Sequence, residues 1–172
     1  MQKKLRKYVV VSSIIAIAIV LNILESFVPM PFSMKIGLAN IATLFTLYVY
    51  SSKDALLVTV FRVVLANLLR PFGFDLNVFL MSLSGGLLAL TVMVLFKKLL
   101  PFGIIVISVM GAIGHVVGQF IVGIWLFNSI HVLTVIPLFL VIALPSGILI
   151  GFITKTCITN IKLFLSQQKE KK

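Results

Sequence analysis

Six apolar runs, at about 8–28, 36–50, 55–70, 76–96, 102–127 and 132–153, take up nearly all of the 172 residues of this chain. A helix that spans a bilayer needs roughly 20 mostly apolar residues. The length is therefore used up by about six spans with short connections, and no room is left for a soluble domain. Hydrophobic residues make up 60% of the sequence and only four residues are acidic, too few to cover a water-facing surface. The expected fold is an all-α integral membrane protein: one domain over 1–172, a bundle of six transmembrane helices, and a basic cytoplasmic tail at 154–172.

The punctuation between the runs is clear. Pro29 and Pro31 stop the first helix by removing donors and fixing the backbone. The second run is short for a full crossing and either stands upright or starts inside the membrane. SSKD at 51–54 and PFGFD at 71–75 form turns, Lys97 and Lys98 precede Pro101, and 128–131 close the turn before the last run. Pro137 and Pro145 interrupt that last run.

A net charge of +11 raises the question of nucleic acid. The basic residues flank apolar runs instead of forming a basic face, which is a topology pattern and not a nucleic-acid footprint. With the N-terminus inside, twelve of the fifteen basic residues fall on the cytoplasmic side, leaving Lys35 and Arg70 outside and Arg62 within the membrane. The expected topology is N-in and C-in. The opening MQKKLRK is like a signal peptide, but its apolar run outlasts a typical h-region and reads as an uncleaved first helix. Cys157 is the sole cysteine, so neither an intramolecular disulfide nor a cysteine metal cluster is expected. No metal site and no cofactor are expected.

On this topology Asn22, Glu25, Lys35, Asn40, Asn67, Arg70, Ser82, Ser84 and Gln119 fall in the outer half or at its rim. Arg62 and His115 fall near the midplane. A polar cavity opening outward is the simplest arrangement, because a central Arg costs about 2.5–3.5 kcal/mol on insertion scales and normally faces the bundle interior with a partner. Arg62 either grips a carboxylate or phosphate with its planar fork or pairs structurally with Glu25 or backbone carbonyls. Asn22 and Glu25, spaced i, i+3, share one face of the first span; they meet a ligand or pair with Arg62 or Arg70. Lys35 is a site residue or an interfacial anchor. His115 and Gln119, four apart with Gly118 between them, either bind solute or join helices. The glycines of the fifth span and Gly147-x-x-x-Gly151 are small-residue packing surfaces. SLSGG at 82–86 either offers backbone to a substrate or packs tightly.

Little supports chemistry by this chain itself. Prenyl-diphosphate synthesis needs clustered aspartates to hold Mg²⁺, yet Asp54 and Asp75 are isolated and expected on opposite sides of the membrane. There is no phosphate loop for ATP, and no nucleophilic triad is assembled.

Four blocks, LESFVPMPFSMKIGLAN at 24–40, DALLVTVFRVVLANLL from Asp54, FLMSLSGGLLALTVMVLFKKL from Phe79 and GAIGHVVGQF from Gly111, give the sequence its family likeness. It resembles the Gx transporter family, which also carries the label heptaprenyl diphosphate synthase component I. That family is similar to the S components of energy-coupling factor transporters, six-helix bundles that capture a vitamin-like solute from outside. The resemblance implies a bacterial cytoplasmic (inner) membrane, a small-molecule substrate, and partners comprising a transmembrane coupling subunit and two ATPases. It also implies Glu25, Lys35, Gly37, Asn40, Arg62, Ser84, Gly85, Gly86, His115 and Gln119 as site positions, to which the residue reading adds Asn67. S components often show Ala-x-x-x-Ala on the first span for docking; here Ser12-x-x-x-Ala16 stands instead. Two other readings stay open. One is a membrane component of heptaprenyl diphosphate or quinone synthesis, and the other is a structural subunit of a membrane redox complex.

Overall fold

The structure is a computed structural model that describes residues 2–29, 35–71, 73–99 and 101–170. Among these residues the regular elements are all helical: α1 (Gln2–Glu25), α2 (Asn40–Val49), α3 (Ser52–Leu68), α4 (Leu76–Leu99), α5 (Ile104–Phe127), a 3-10 turn (Ile130–Val135) and α6 (Ile136–Glu170). Four of them, α1, α4, α5 and α6, are long and apolar enough to cross a membrane. At 1.5 Å per residue the 24 residues of α4 or α5 run about 36 Å, enough for a hydrocarbon core about 30 Å thick.

Several boundaries depart from the sequence reading. The second run, expected over 36–50, becomes helical only at Asn40, so α2 has ten residues and is about 15 Å long. Residues 35–39 are non-helical although they lie inside the bundle. The third helix runs from Ser52 to Leu68, shifted toward the N-terminus from the expected 55–70. The tail expected after 153 is helical as far as Glu170, because α6 continues without a break. Pro137 sits in the first turn of α6, where a missing N–H is harmless. Pro145 lies within the helix and does not end it. Pro31 falls outside the described residues.

The helices enclose α2. Around it, α1 packs on α3, α3 on α4, α4 on α5, and α5 on α6, while α2 touches α1, α3, α4 and α6. The ends of the elements sort by charge. Lys4, Arg6, Lys7, Lys53, Lys97, Lys98 and Lys155 gather toward one end, which we term the basic end; Lys35 and Arg70 belong to the other half. Apolar cores flank α2 and its neighbours. Toward the basic end Leu44, Leu47, Ala89, Leu90, Met93 and Ile107 are buried together. Toward the far end, Met81, Val116, Phe120 and Phe139 pack, with the Phe120 and Phe139 rings edge to face at 5.7 Å. Large apolar side chains such as Ile17, Val20, Trp125, Val141 and Phe152 face outward, as a lipid-exposed surface requires.

Glycines set how closely α5 approaches its neighbours. A Cβ on Gly118 would lie 2.7 Å from the Ser84 carbonyl oxygen of α4, and one on Gly151 would lie 2.7 Å from the Ile105 Cα of α5. The backbones of these pairs are therefore in direct contact, as small-residue interfaces permit. Gly118→Ala should force α4 and α5 apart and cost about 1–3 kcal/mol, read as a lower unfolding midpoint in detergent. An unchanged midpoint would show that the seam is loose.

At the basic end Ser51 caps α3, and its hydroxyl donates to the Asp54 carboxylate. Lys7 of α1 reaches the same carboxylate at 2.8 Å. These bonds, Lys7 first and then Ser51, hold the Asp54 carboxyl below the usual carboxylate range. A carboxyl whose folded pKa is depressed stabilises above its unfolded value of about 3.9 and loses that contribution as pH falls through the folded value. Asp54→Asn should therefore flatten the acid limb of the stability curve while costing no more than about 1 kcal/mol at neutral pH. An acid limb equally steep in the variant would assign the effect to other carboxyls.

Candidate functional site

Inside this apolar bundle lies a layer of buried polar side chains. Asn22, Glu25, Lys35, Asn40, Thr43, Thr59, Arg62, His115 and Gln119 are all buried, Arg62 to 2% exposure. Their depth follows from helix arithmetic. Arg62 is ten residues into α3 and His115 eleven into α5, about 15 Å and 16 Å from the basic ends of their helices.

The layer is built around the non-helical segment 35–39. A backbone that leaves the helix inside an apolar interior must find other partners for its N–H and C=O groups. Gln119 supplies two at once: the Lys35 N–H donates to Gln119 Oε1 at 2.7 Å, and Gln119 Nε2 donates to the Lys35 carbonyl at 2.8 Å. Glu25 accepts from the Leu38 N–H at 2.5 Å. Leu38 lies just ahead of α2, so this carboxylate sits at the positive end of the α2 dipole. Lys35 Nζ donates to Asn22 Oδ1. Gly37 makes the entry into α2 possible, with φ +90, and a Cβ there would lie 3.0 Å from both Asn40 and His115.

Arg62 is held from α2. Its NH2 donates to Asn40 Oδ1 at 2.6 Å. Among the described residues no ion pair within 4 Å joins Arg62 to Glu25, one of the partners the sequence left open, and Asn40 is the partner instead. The reason is geometric: the Glu25 carboxylate is already engaged at the α2 N-terminus. Beneath this contact the hydroxyls of Thr43 and Thr59 meet at 2.9 Å. Sequence reading did not single out these threonines. Their signal was spacing, since Asn40 and Thr43, like Thr59 and Arg62, lie i, i+3 on one helix face.

Three positions of the SLSGG block of α4 now have specific uses. Ser84 donates to the Gly118 carbonyl at 2.9 Å and ties α4 to α5. Gly85 makes room for the His115 imidazole, which a Cβ would approach to 2.9 Å, and Gly86 makes room for the Arg62 guanidinium, 3.3 Å from its would-be Cβ. The structure thus brings Glu25, Lys35, Asn40, Arg62, His115 and Gln119 together and adds Asn22. Ser84 stands in the adjoining helix seam. Asn67 does not join them: its amide donates to the Asp75 carbonyl at 3.1 Å and fastens the loop after α3, close to the Arg70–Asp75 pair at 3.6 Å. No group of three or more His, Cys, Asp or Glu that could hold a metal occurs among the described residues.

Some hydrogen-bonding capacity in the layer is unused. Asn40 Nδ2 and Arg62 Nε are buried and have no partner. Both are donors.

A family model described as heptaprenyl diphosphate synthase component I matches residues 14–157. The chain belongs to that family. No curated protein and no solved structure matches it. In this heptaprenyl diphosphate synthase component I family member, every residue of the polar layer falls inside the matched region, whereas the basic start of α1 and the last turns of α6 fall outside it.

The Gln119 clamp is directly testable. Gln119→Leu keeps the volume but strands the Lys35 N–H and carbonyl in an apolar setting, at about 1–3 kcal/mol for each group left unsatisfied. The unfolding midpoint should fall accordingly, by about 2–4 °C per kcal/mol for a chain of this size. A fall of less than about 1 °C would mean that the segment finds other partners.

Proposed function

We propose that this chain is an S-component-like, membrane-embedded subunit that captures a small solute from the outer face of a bacterial cytoplasmic membrane, for uptake with partner subunits. The observation that carries this reading is the polar layer itself: charged and amide side chains converge at mid-depth in an apolar bundle, with buried donors to spare. Ionisable groups at such depth are costly and mark substrate or ion pathways. A half-length helix that begins inside the bundle, preceded by irregular backbone, is also how membrane transporters build solute sites near the midplane. The distribution of lysines and arginines favours the N-in, C-in topology, which sets the 35–39 segment on the outer side of the layer. With no phosphate loop in the sequence, energy would come from an ATPase partner, through a coupling subunit in the manner of energy-coupling factor systems.

A second reading takes the family description at its word and makes the chain the membrane component of heptaprenyl diphosphate synthesis. The phrase "component I" supports a partner component under either reading. The placement of the acids argues that such chemistry would belong to the partner. Glu25 is engaged with backbone, Asp54 pairs with Lys7 at the basic end, and Asp75 faces Arg70 at the other, whereas Mg²⁺-diphosphate handling needs carboxylates gathered on one site.

Native mass spectrometry of the protein gently extracted from its own membrane separates these readings. The capture reading expects a bound small molecule in the wild type and none in Arg62→Ala. That variant should fold with a modest loss of about 1–3 kcal/mol, because Asn40 Oδ1 loses its donor. Wild type and variant carrying the same solute equally would remove Arg62 from the site. An empty chain that turns over allylic and homoallylic diphosphates with Mg²⁺ when mixed with its co-purifying partner would favour the second reading.

A further inference from the structure

The buried charges of the polar layer do not balance. Arg62 and Lys35 bring two formal positive charges and Glu25 brings one negative, with His115 neutral, so 2 − 1 leaves one positive charge in excess. Asp54 and Asp75 do not correct this. Asp54 is held by Lys7 at 2.8 Å at the basic end, and Asp75 stands 3.6 Å from Arg70, which offsets it. An uncompensated charge away from water is among the most costly features a fold can carry. Two donors of the layer are also left over. The acceptors Asn22 Oδ1, Glu25 Oε1, Asn40 Oδ1 and Gln119 Oε1 are engaged, while the donors Asn40 Nδ2 and Arg62 Nε have no partner, nor do the two ring nitrogens of His115, one donor and one acceptor in the neutral ring.

Resting on the capture reading, we infer that the solute is a monoanion, a carboxylate or a singly charged phosphoester, bound at Arg62 and Asn40 with its charged group beside His115. One negative charge cancels the excess, and two acceptor oxygens match the donors Asn40 Nδ2 and Arg62 Nε, the arrangement for which a planar guanidinium is suited. A neutral or cationic solute would leave the excess standing or enlarge it. A diphosphate, with two or more negative charges, would overshoot it and demand a further cation or a metal that the layer's side chains do not supply. The charge of the site thus sets it apart from a diphosphate-binding centre. Gly85 and Gly86 keep Cβ atoms away from His115 and Arg62, so that both side chains pack directly on the α4 backbone beside Asn40.

Asn40→Asp tests this by supplying the missing charge from within. Its carboxylate replaces the amide oxygen that already accepts from Arg62 at 2.6 Å. The solute-free variant should unfold about 2–4 °C higher than the solute-free wild type. Native mass spectrometry should then find an acidic small molecule on the extracted wild type, seen as a monoanion after denaturing release, and none on Asn40→Asp. Asn40→Ala is the control and should unfold below wild type. Should Asn40→Asp unfold at or below Asn40→Ala, the layer does not lack negative charge and the inference is overturned. A neutral, cationic or diphosphate solute on the wild type overturns it too, yet leaves the capture reading standing. A wild type that carries no solute removes the capture reading, and this inference with it.

Discussion

Backbone that leaves the helical state inside an apolar bundle has no water to turn to, and its peptide groups must be met by side chains. The segment 35–39 is under this constraint, and the centre of the protein is arranged to satisfy it. Gln119 meets both peptide groups of Lys35, and Glu25 meets the Leu38 N–H at the head of α2. These contacts fix where α2 begins. The start of α2 in turn sets Asn40 opposite Arg62. The late start of α2 thus supplies a partner for the buried cation in the middle of α3.

Close backbone approach is the second requirement. The α4–α5 contact is tight enough that Gly118 lies on the Ser84 carbonyl, and the same stretch of α4 accommodates His115 and Arg62 at consecutive glycines. A side chain at either glycine would push a buried polar group out of its place. The helices that carry the layer are thus held in contact by the same residues that make room for it. The apolar clusters toward both ends then bury the layer from above and below. The low effective dielectric that makes its charges expensive also makes each satisfied contact stronger.

Membership of the heptaprenyl diphosphate synthase component I family and the chemistry of the layer point in different directions. The family description concerns a diphosphate product. Glu25, Asp54 and Asp75 stand in three separate places, and the polar layer carries one formal positive charge in excess. A site of that kind is suited to holding a small anion. It is poorly suited to organising metal and diphosphate, and this is why solute capture is the reading favoured here.

The sequence by itself determined the class of protein and named most of the side chains of the buried polar layer. Apolar runs of spanning length, few acids and lysines flanking the runs follow from the bilayer's demand for apolar segments, which acts residue by residue and is visible in composition alone. Glu25, Lys35, Asn40, Arg62, His115 and Gln119 stood out because a polar group within an apolar run needs a reason wherever it lies. Tertiary structure decided the partners. Arg62 bonds Asn40 instead of pairing with Glu25, since Glu25 is claimed by the α2 backbone. Asn67 fastens a loop, since α3 carries it beyond the layer. The two threonines face each other only once α2 and α3 are packed. The helical continuation past 153 and the late start of α2 at Asn40 were likewise hidden. Pairing and helix limits depend on which groups meet across helices far apart in sequence, and no local pattern encodes that distance.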